Sequence, residues 1–440
     1  MPIISNFKKL AKNDLRKKAL EIAEAGYEAI EIEKIVSRKI KLNNNILEIT
    51  TIDGSKNINL KLNLNNYKRI FLVGVGKGSA LASVSLVKIL GKWLTKCVAL
   101  DIKKPPLNSK FLILNSEFLV GTHPLPSKKN IIATREIIKL AENLKKDDLL
   151  ITFICGGGSA LLCGSEKELR YSQTVFKELT KAGANIFELN TVRKHFSEIK
   201  GGGLAKIAYP ATVVSLIVSD ICGNNLSSVA SGPTVYDKTI NKDAEKILKK
   251  YGLKPKKFHF HENPKEKKYF KKVKNILFVY NQDAIMAMME KAKKLGFNAK
   301  IYSLVLQGEA KDALWPMIKM AKSQQAILAA GETTVNLEGR PKGKGGRNME
   351  AVLGVISNFQ FPISKNLTAM SFTSDGRDNT EAAGAIGDFL TLKTVEKLGM
   401  NPRDFLKQNK SFDFFDKTGD LVYAKQSCFN VADLMIVLKK

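Results

Sequence analysis

Residues 69–80 read RIFLVGVGKGSA, an apolar run that ends in glycines around a lysine and continues into a helical stretch. An uninterrupted run of this kind suits a strand buried on both faces, as in parallel sheets. The arrangement recurs in LLITFICG (149–156), VVSLIVSD (213–220), NILFVYN (275–281), AKIYSLV (299–305), AILAAGE (326–332) and LTAMSFTSDG (367–376). Helical patterns such as IIATREIIKLAENL (131–144) and AIMAMMEKAKKLG (284–296) separate most of them. This alternation predicts an α/β fold with largely parallel sheets covered by helices.

The rest of the chain fits around that rhythm. Residues 5–40 place Leu10, Leu15, Ala19, Ile22, Ala23, Tyr27 and Ile30 at helical spacing, and a short β-like region with a turn at Asp53-Gly54 follows. At 440 residues the chain exceeds one comfortable core. The lysine-rich stretch KPKKFHFHENPKEKKYFKKVKN (254–275) reads as a connector. The expected halves are therefore 1–260 and 261–440, with the active site in the cleft between them.

Several classes are excluded by composition. No apolar run reaches the roughly 18 residues of a membrane span, and the N-terminus lacks the apolar segment of a secretory signal. Five cysteines, scattered and without CxxC pairing, argue against a disulfide framework or a zinc site and for a reducing cytoplasm. The formal net charge of +29 invites a nucleic-acid reading, but lysines run from Lys8 to Lys440 without a helix-turn-helix, zinc finger or aromatic-rich RNA-binding signature. No nucleic-acid partner is expected, and a basic surface suits anionic metabolites such as ATP.

In open α/β sheets ligands bind beyond the C-terminal ends of the strands. The first such end is GVGKGSA, with Lys77 among glycines. It departs from the phosphate-loop pattern, since Phe71 stands at the first glycine, and from GxGxxG, since Ser79 stands at the last. The second, CGGGSALL (155–162), offers Gly156, Gly157, Gly158 and Ser159 as an anion cradle. In NTVRKHFSEIKGGGLA (190–205), Arg193, Lys194, His195 and Lys200 precede another glycine triplet and suit phosphate oxygens; His195 reads as structural. Asp220 ends the strand VVSLIVSD, where an acid serves as a Mg2+ ligand or as a base toward a hydroxyl. Glu332 ends a later strand, and Gly345, Gly346 and Arg347 introduce a helix, a plausible transition-state clamp. Asp375 and Asp378 follow another strand as candidates for metal or hydroxyl contacts.

These segments together resemble the class II glycerate kinases, some of which carry the label hydroxypyruvate reductase. The matching motifs are GVGKGSA, GTHPLPS (121–127), CGGGSALL, NTVRKHFSEIKGGGLA, SDICGN with ASGPTV (230–235), GETTV with GKGGRNME (343–350), and SDG with EAAGAIGD, in the family's order over nearly the whole chain. The family's TGPTGTN appears here as YAKQSCFN (423–430). The resemblance implies two Rossmann-like α/β/α domains, an N-terminal glycerate-kinase-type domain (1–260) and a C-terminal MOFRL-type domain (261–440). It implies transfer of phosphate from ATP, with Mg2+, to D-glycerate in the interdomain cleft, giving 2-phosphoglycerate. By motif, Lys77, Asp220 and Arg347 would be catalytic, and Asp220 and Asp375 metal ligands. Gly156–Ser159, Asn190, Arg193, Lys200, Glu332 and Asp375 would hold substrate and phosphate. A kinase for another short sugar acid and an NAD(P)-dependent hydroxypyruvate reductase are the alternatives. A cytoplasmic monomer or homodimer is expected.

Overall fold

The computed structural model describes residues 2–54, 56–106, 115–337, 339, 341–358 and 365–440. The chain divides into two compact units. One comprises Ile35–Asp220 with Asn224–Val279, the other Met1–Lys34, Ile221–Gly223 and Tyr280–Lys440. No helix among the described residues is long and apolar enough to cross a membrane.

The first unit opens with an antiparallel sheet of β1 (Ile40–Asn43), β2 (Ile46–Asp53) and β3 (Lys56–Asn63). Six strands then form one parallel sheet: β4 (Arg69–Val75), β5 (Leu94–Asp101), β6 (Ser116–Val120), β7 (Asp148–Ile154), β8 (Thr212–Val218) and β9 (Val273–Val279). Their order is β6-β5-β4-β7-β8-β9. Counted from β4, that is 3-2-1-4-5-6, the doubly wound Rossmann order, whose switch point lies between β4 and β7. Every residue of β7 is buried, as its unbroken apolar run requires.

In the second unit, β10 (Asn298–Leu306), β11 (Gln325–Gly331), β12 (Leu367–Thr373), β13 (Gly384–Asp388), β14 (Leu421–Val422) and β15 (Asp433–Lys439) form a sheet in the order β10-β11-β15-β12-β13-β14. Only β10 and β11 pair in parallel there; the remaining pairs are antiparallel. The largely parallel character expected of both sheets thus holds for the first and not the second. Two strands run against the others: β13, and the last strand, which enters between β11 and β12. That insertion sets Asp433 beside both Gly331 and Thr373, the C-terminal residues of β11 and β12.

The two units differ from the expected halves in two places. Residues 254–272 are not a connector: they lie inside the first unit, ahead of β9. There Lys265 Nζ donates to the Asp237 and Thr239 carbonyls, and the His261 amide donates to the His195 carbonyl. The N-terminal segment instead groups with the C-terminal half. Its helix Asp14–Ile30 carries Arg16, whose buried guanidinium pairs with Asp388 at 2.7 Å and Asp420 at 2.6 Å. Tyr27 stacks on Phe372 at 5.0 Å and donates to the Thr373 carbonyl. The segment 423–430 is held by the same N-terminal residues, through Lys425 to Ile3 and Phe429 to Ile30.

Candidate active site

In the first unit, two loops meet at the switch point between β4 and β7. The Lys77 amide donates to the Gly156 carbonyl at 2.9 Å, and the Cys155 amide to the Val75 carbonyl at 2.8 Å. Gly76 takes φ +110, and a Cβ there would collide with the Cys155 carbonyl, so only glycine lets the loops close to this distance. Asp220, one residue beyond the buried Ser219 after β8, covers Gly156 so closely that a Cβ would fall inside its carboxylate. A Cβ at Gly157 would lie 3.2 Å from Lys77 Cγ and 3.3 Å from His123 Cδ2. Lys77, His123 and Asp220 therefore converge on one glycine loop, from beyond the ends of β4, β6 and β8. The amides of Gly157 and Ser159 meet no backbone carbonyl among the described residues.

The electrostatics of this loop favour an anion. Arg193 is 6% exposed, lies over the Phe176 ring at 5.1 Å, and pairs with no carboxylate among the described residues. Burial pulls its guanidinium down to about 10. Desolvation, then the Lys77 and Arg193 charges, push His123 down to about 4, so its imidazole is neutral at pH 7 although part of the ring faces solvent. A buried cation without a counter-ion is costly, and an anionic ligand would relieve that cost.

Behind the loop runs a chain of side chains. Ser159 Oγ lies 2.8 Å from Ser231 Oγ, Ser231 Oγ donates to Asn190 Oδ1 at 3.4 Å, and Asn190 Nδ2 donates to the Ser228 carbonyl. Ala230 (φ +50) and Ser231 (φ +59) are both left-handed, a strained pair for side-chain-bearing residues. Gly158 packs against Ala230, so the strained turn is pressed onto the glycine loop.

Other sequence candidates stand elsewhere. Lys200 is 1% exposed, and its ammonium is engaged by Glu168 and the Leu162 carbonyl, which corrects its reading as a phosphate ligand. The glycines 201–203 are buried against Asn263, Phe270 and Glu198, so this triplet serves packing and not a cradle. Lys194 is paired with Asp237 at 3.3 Å. His195 is buried between the His261 carbonyl and Thr239 Oγ1, as a structural histidine would be.

In the second unit, the ends of β11, β12 and β15 gather a different constellation. Arg347, the first residue of the helix Arg347–Ile356, donates from Nε to Asp433 Oδ2 and from Nη1 to Glu332 Oε1, each at 2.6 Å. Burial lowers the affinity of Arg347 for its proton, but Asp433 and Glu332 outweigh it and hold the guanidinium firmly charged. Asp378 accepts the Asn348 and Met349 amides at 2.9 and 3.0 Å, capping the same helix. Burial raises Asp378 to about 7 and Asp433 to about 6. Asp375 Oδ1 accepts from Thr373 Oγ1 and the Arg377 amide, which fixes the turn after β12. Glu338 and Arg340, in the basic loop before Arg347, lie outside the described residues. Sequence reading missed Asp433 and His123. An acid heading the apolar strand LMIVLK was the available signal for the first, and the polar GTHPLPS turn for the second.

Comparison with known proteins places these sites in context. Residues 18–260 match the domain of unknown function DUF4147, and residues 325–433 match the MOFRL family. The chain is 32% identical to a D-glycerate 2-kinase of Thermotoga maritima, covering 96% of this chain and 98% of that protein. It is 34% identical to a glycerate 2-kinase of Pyrococcus horikoshii, over 72% and 76%. A putative hydroxypyruvate reductase of Agrobacterium vitis is also 34% identical, over 73% and 77%. The crystal structure of a glycerate kinase from Thermotoga maritima superposes with a TM-score of 0.81 at 30% identity, covering 97% of this chain and 99% of that one.

Proposed function

Since the chain belongs to the class II glycerate kinase family, we propose that it transfers the γ-phosphoryl group of ATP to the 2-hydroxyl of D-glycerate. Named relatives over nearly the whole chain support the kinase reading. The observation that carries it in this molecule is the glycine loop at the switch point, with Lys77 against it, Asp220 over Gly156, and near its neighbour His123 an Arg193 that has no carboxylate partner among the described residues.

Phosphoryl transfer needs positioning and charge stabilisation more than covalent chemistry. Lys77 and the loop amides hold the transferring group, and Arg193 holds a phosphate or the glycerate carboxylate. Asp220 orients the 2-hydroxyl and takes its proton as the new P–O bond forms and the bond to ADP breaks. Glu332 and Asp433 hold Arg347 in one orientation, so it acts as a fixed cation and not a mobile one.

No group of three His, Cys, Asp or Glu side chains that could hold a metal occurs among the described residues. Mg2+ is commonly held by one or two carboxylates plus substrate phosphates, so its binding does not require such a group. Asp220 would be the carboxylate to hold it, because it covers the loop on which phosphate would rest. Bound with ATP, Mg2+ would neutralise charge on the phosphate oxygens.

ADP release with MgATP and a panel of short sugar acids tests the proposal. D-glycerate should be the preferred acceptor, and Lys77→Ala should lower kcat about 10³-fold with the fold retained. Near-normal turnover in that variant contradicts the assignment. The alternative reductase reading requires NADH oxidation with hydroxypyruvate at 340 nm.

A further inference from the structure

A cavity of about 420 Å³ opens in the first unit beside the helix Ile186–Lys194, a volume in the range that holds drug-sized ligands. The helix presents Phe187, Asn190, Thr191 and Lys194 to the cavity, residues three and four apart and so on one face. Arg193, one position from Lys194, instead lies near His123 and the glycine loop. One helix thus serves the anion cradle and the cavity together.

The lining favours an uncharged, planar group. Lys194, the buried cation in it, is neutralised by Asp237 at 3.3 Å, and the other cation of the lining, Lys238, is exposed to solvent, so no buried charge of the wall calls for a carboxylate or phosphate. Phe187, 51% accessible, gives the cavity an open ring, and Tyr236, 41% accessible, gives a second one that already meets Phe270 at 5.3 Å and Lys265 at 5.9 Å. Asn190 and Ser228, also in the lining, belong to the hydrogen-bonded chain that reaches Ser159 of the glycine loop. A ligand reaching from one to the other has an anionic end and a flat, polar-edged end.

We infer that this cavity receives the nucleoside of ATP, with the base against Phe187 and Tyr236 and the polyphosphate running to Gly156–Ser159. The inference rests on the kinase reading and deepens it. A three-carbon acid, which carries its charge on a small frame, is the poorer occupant.

Steady-state kinetics with ATP and D-glycerate varied separately test it. Phe187→Ala and Tyr236→Ala should each raise KM for ATP about tenfold, the loss expected from one base–aromatic stack, with KM for D-glycerate within about twofold of wild type. Thr191→Trp, which fills the cavity, should do the same or more. An unchanged KM for ATP in all three, while the wild type releases ADP, overturns the inference and leaves the kinase reading standing. If the wild type releases no ADP, the kinase reading fails, and calorimetric titration with ADP decides the cavity. Binding weakened about tenfold by Phe187→Ala supports it; equal binding, or none, overturns it.

Discussion

Gly156 and Gly201 each head a glycine triplet, and nothing in their local sequence separates the two. What separates them is the residue opposite. Asp220 stands over Gly156, whereas Asn263 stands over Gly201. One triplet stays open beside Lys77, which has no carboxylate partner among the described residues, and the other is a packing element next to Lys200, which is bound by Glu168. Such pairings are set by tertiary contacts between distant segments, which is why the residue types were legible in the sequence and their roles were not. His123 offers a direct reading of the field at the loop. Its imidazole, held near 4 by desolvation and two cations, should titrate below pH 5 in an NMR experiment. ATP or inorganic phosphate should raise that value, because a nearby anion favours the charged form. A titration near 6.5 that phosphate leaves unmoved would show that the cations do not face the ring.

The helix Arg347–Ile356 shows how an element can be built to aim one side chain. Asp378 caps it, Gly346 admits that cap at close range, and Asp433 with Glu332 fixes the guanidinium of its first residue. The sequence marked the helix start and Glu332. It offered Asp433 only as an acid heading an apolar run, because its place beside Arg347 depends on the final strand inserting antiparallel between β11 and β12. The arrangement has a pH signature. Asp378 is raised to about 7 in the folded protein against about 4 unfolded. The folded state therefore binds the extra proton, so this group stabilises fully below pH ~4 and loses that contribution as pH rises to about 7. Urea midpoints measured from pH 4 to 8 should fall across that window. Asp378→Asn, which retains a carbonyl acceptor for the helix amides, should flatten the fall; an unaltered slope would assign it to other groups.

For the whole molecule, strand–helix alternation was readable from apolar runs, but strand order was not, because order depends on which strands meet in space. The 3-2-1-4-5-6 arrangement matters for function, since it places the Lys77 and Gly156 loops at the switch point where such sheets bind ligands. The N-terminal helix packs in the second unit against the helix Asn281–Lys294, and Arg16 anchors it there, buried between Asp388 and Asp420. Arg16→Ala should destabilise that unit by about 3–5 kcal/mol in chemical denaturation, because buried Asp388 loses its cation and Asp420 keeps only Lys12; a change below about 1 kcal/mol would contradict this packing. The central claim is phosphoryl transfer to the 2-hydroxyl of D-glycerate. Proton-coupled phosphorus NMR of the product made from MgATP and D-glycerate tests it most directly. The account predicts a phosphate monoester signal split by a single proton, that on C2. A signal split by the two protons of C3, or no new phosphate ester at all, would contradict it.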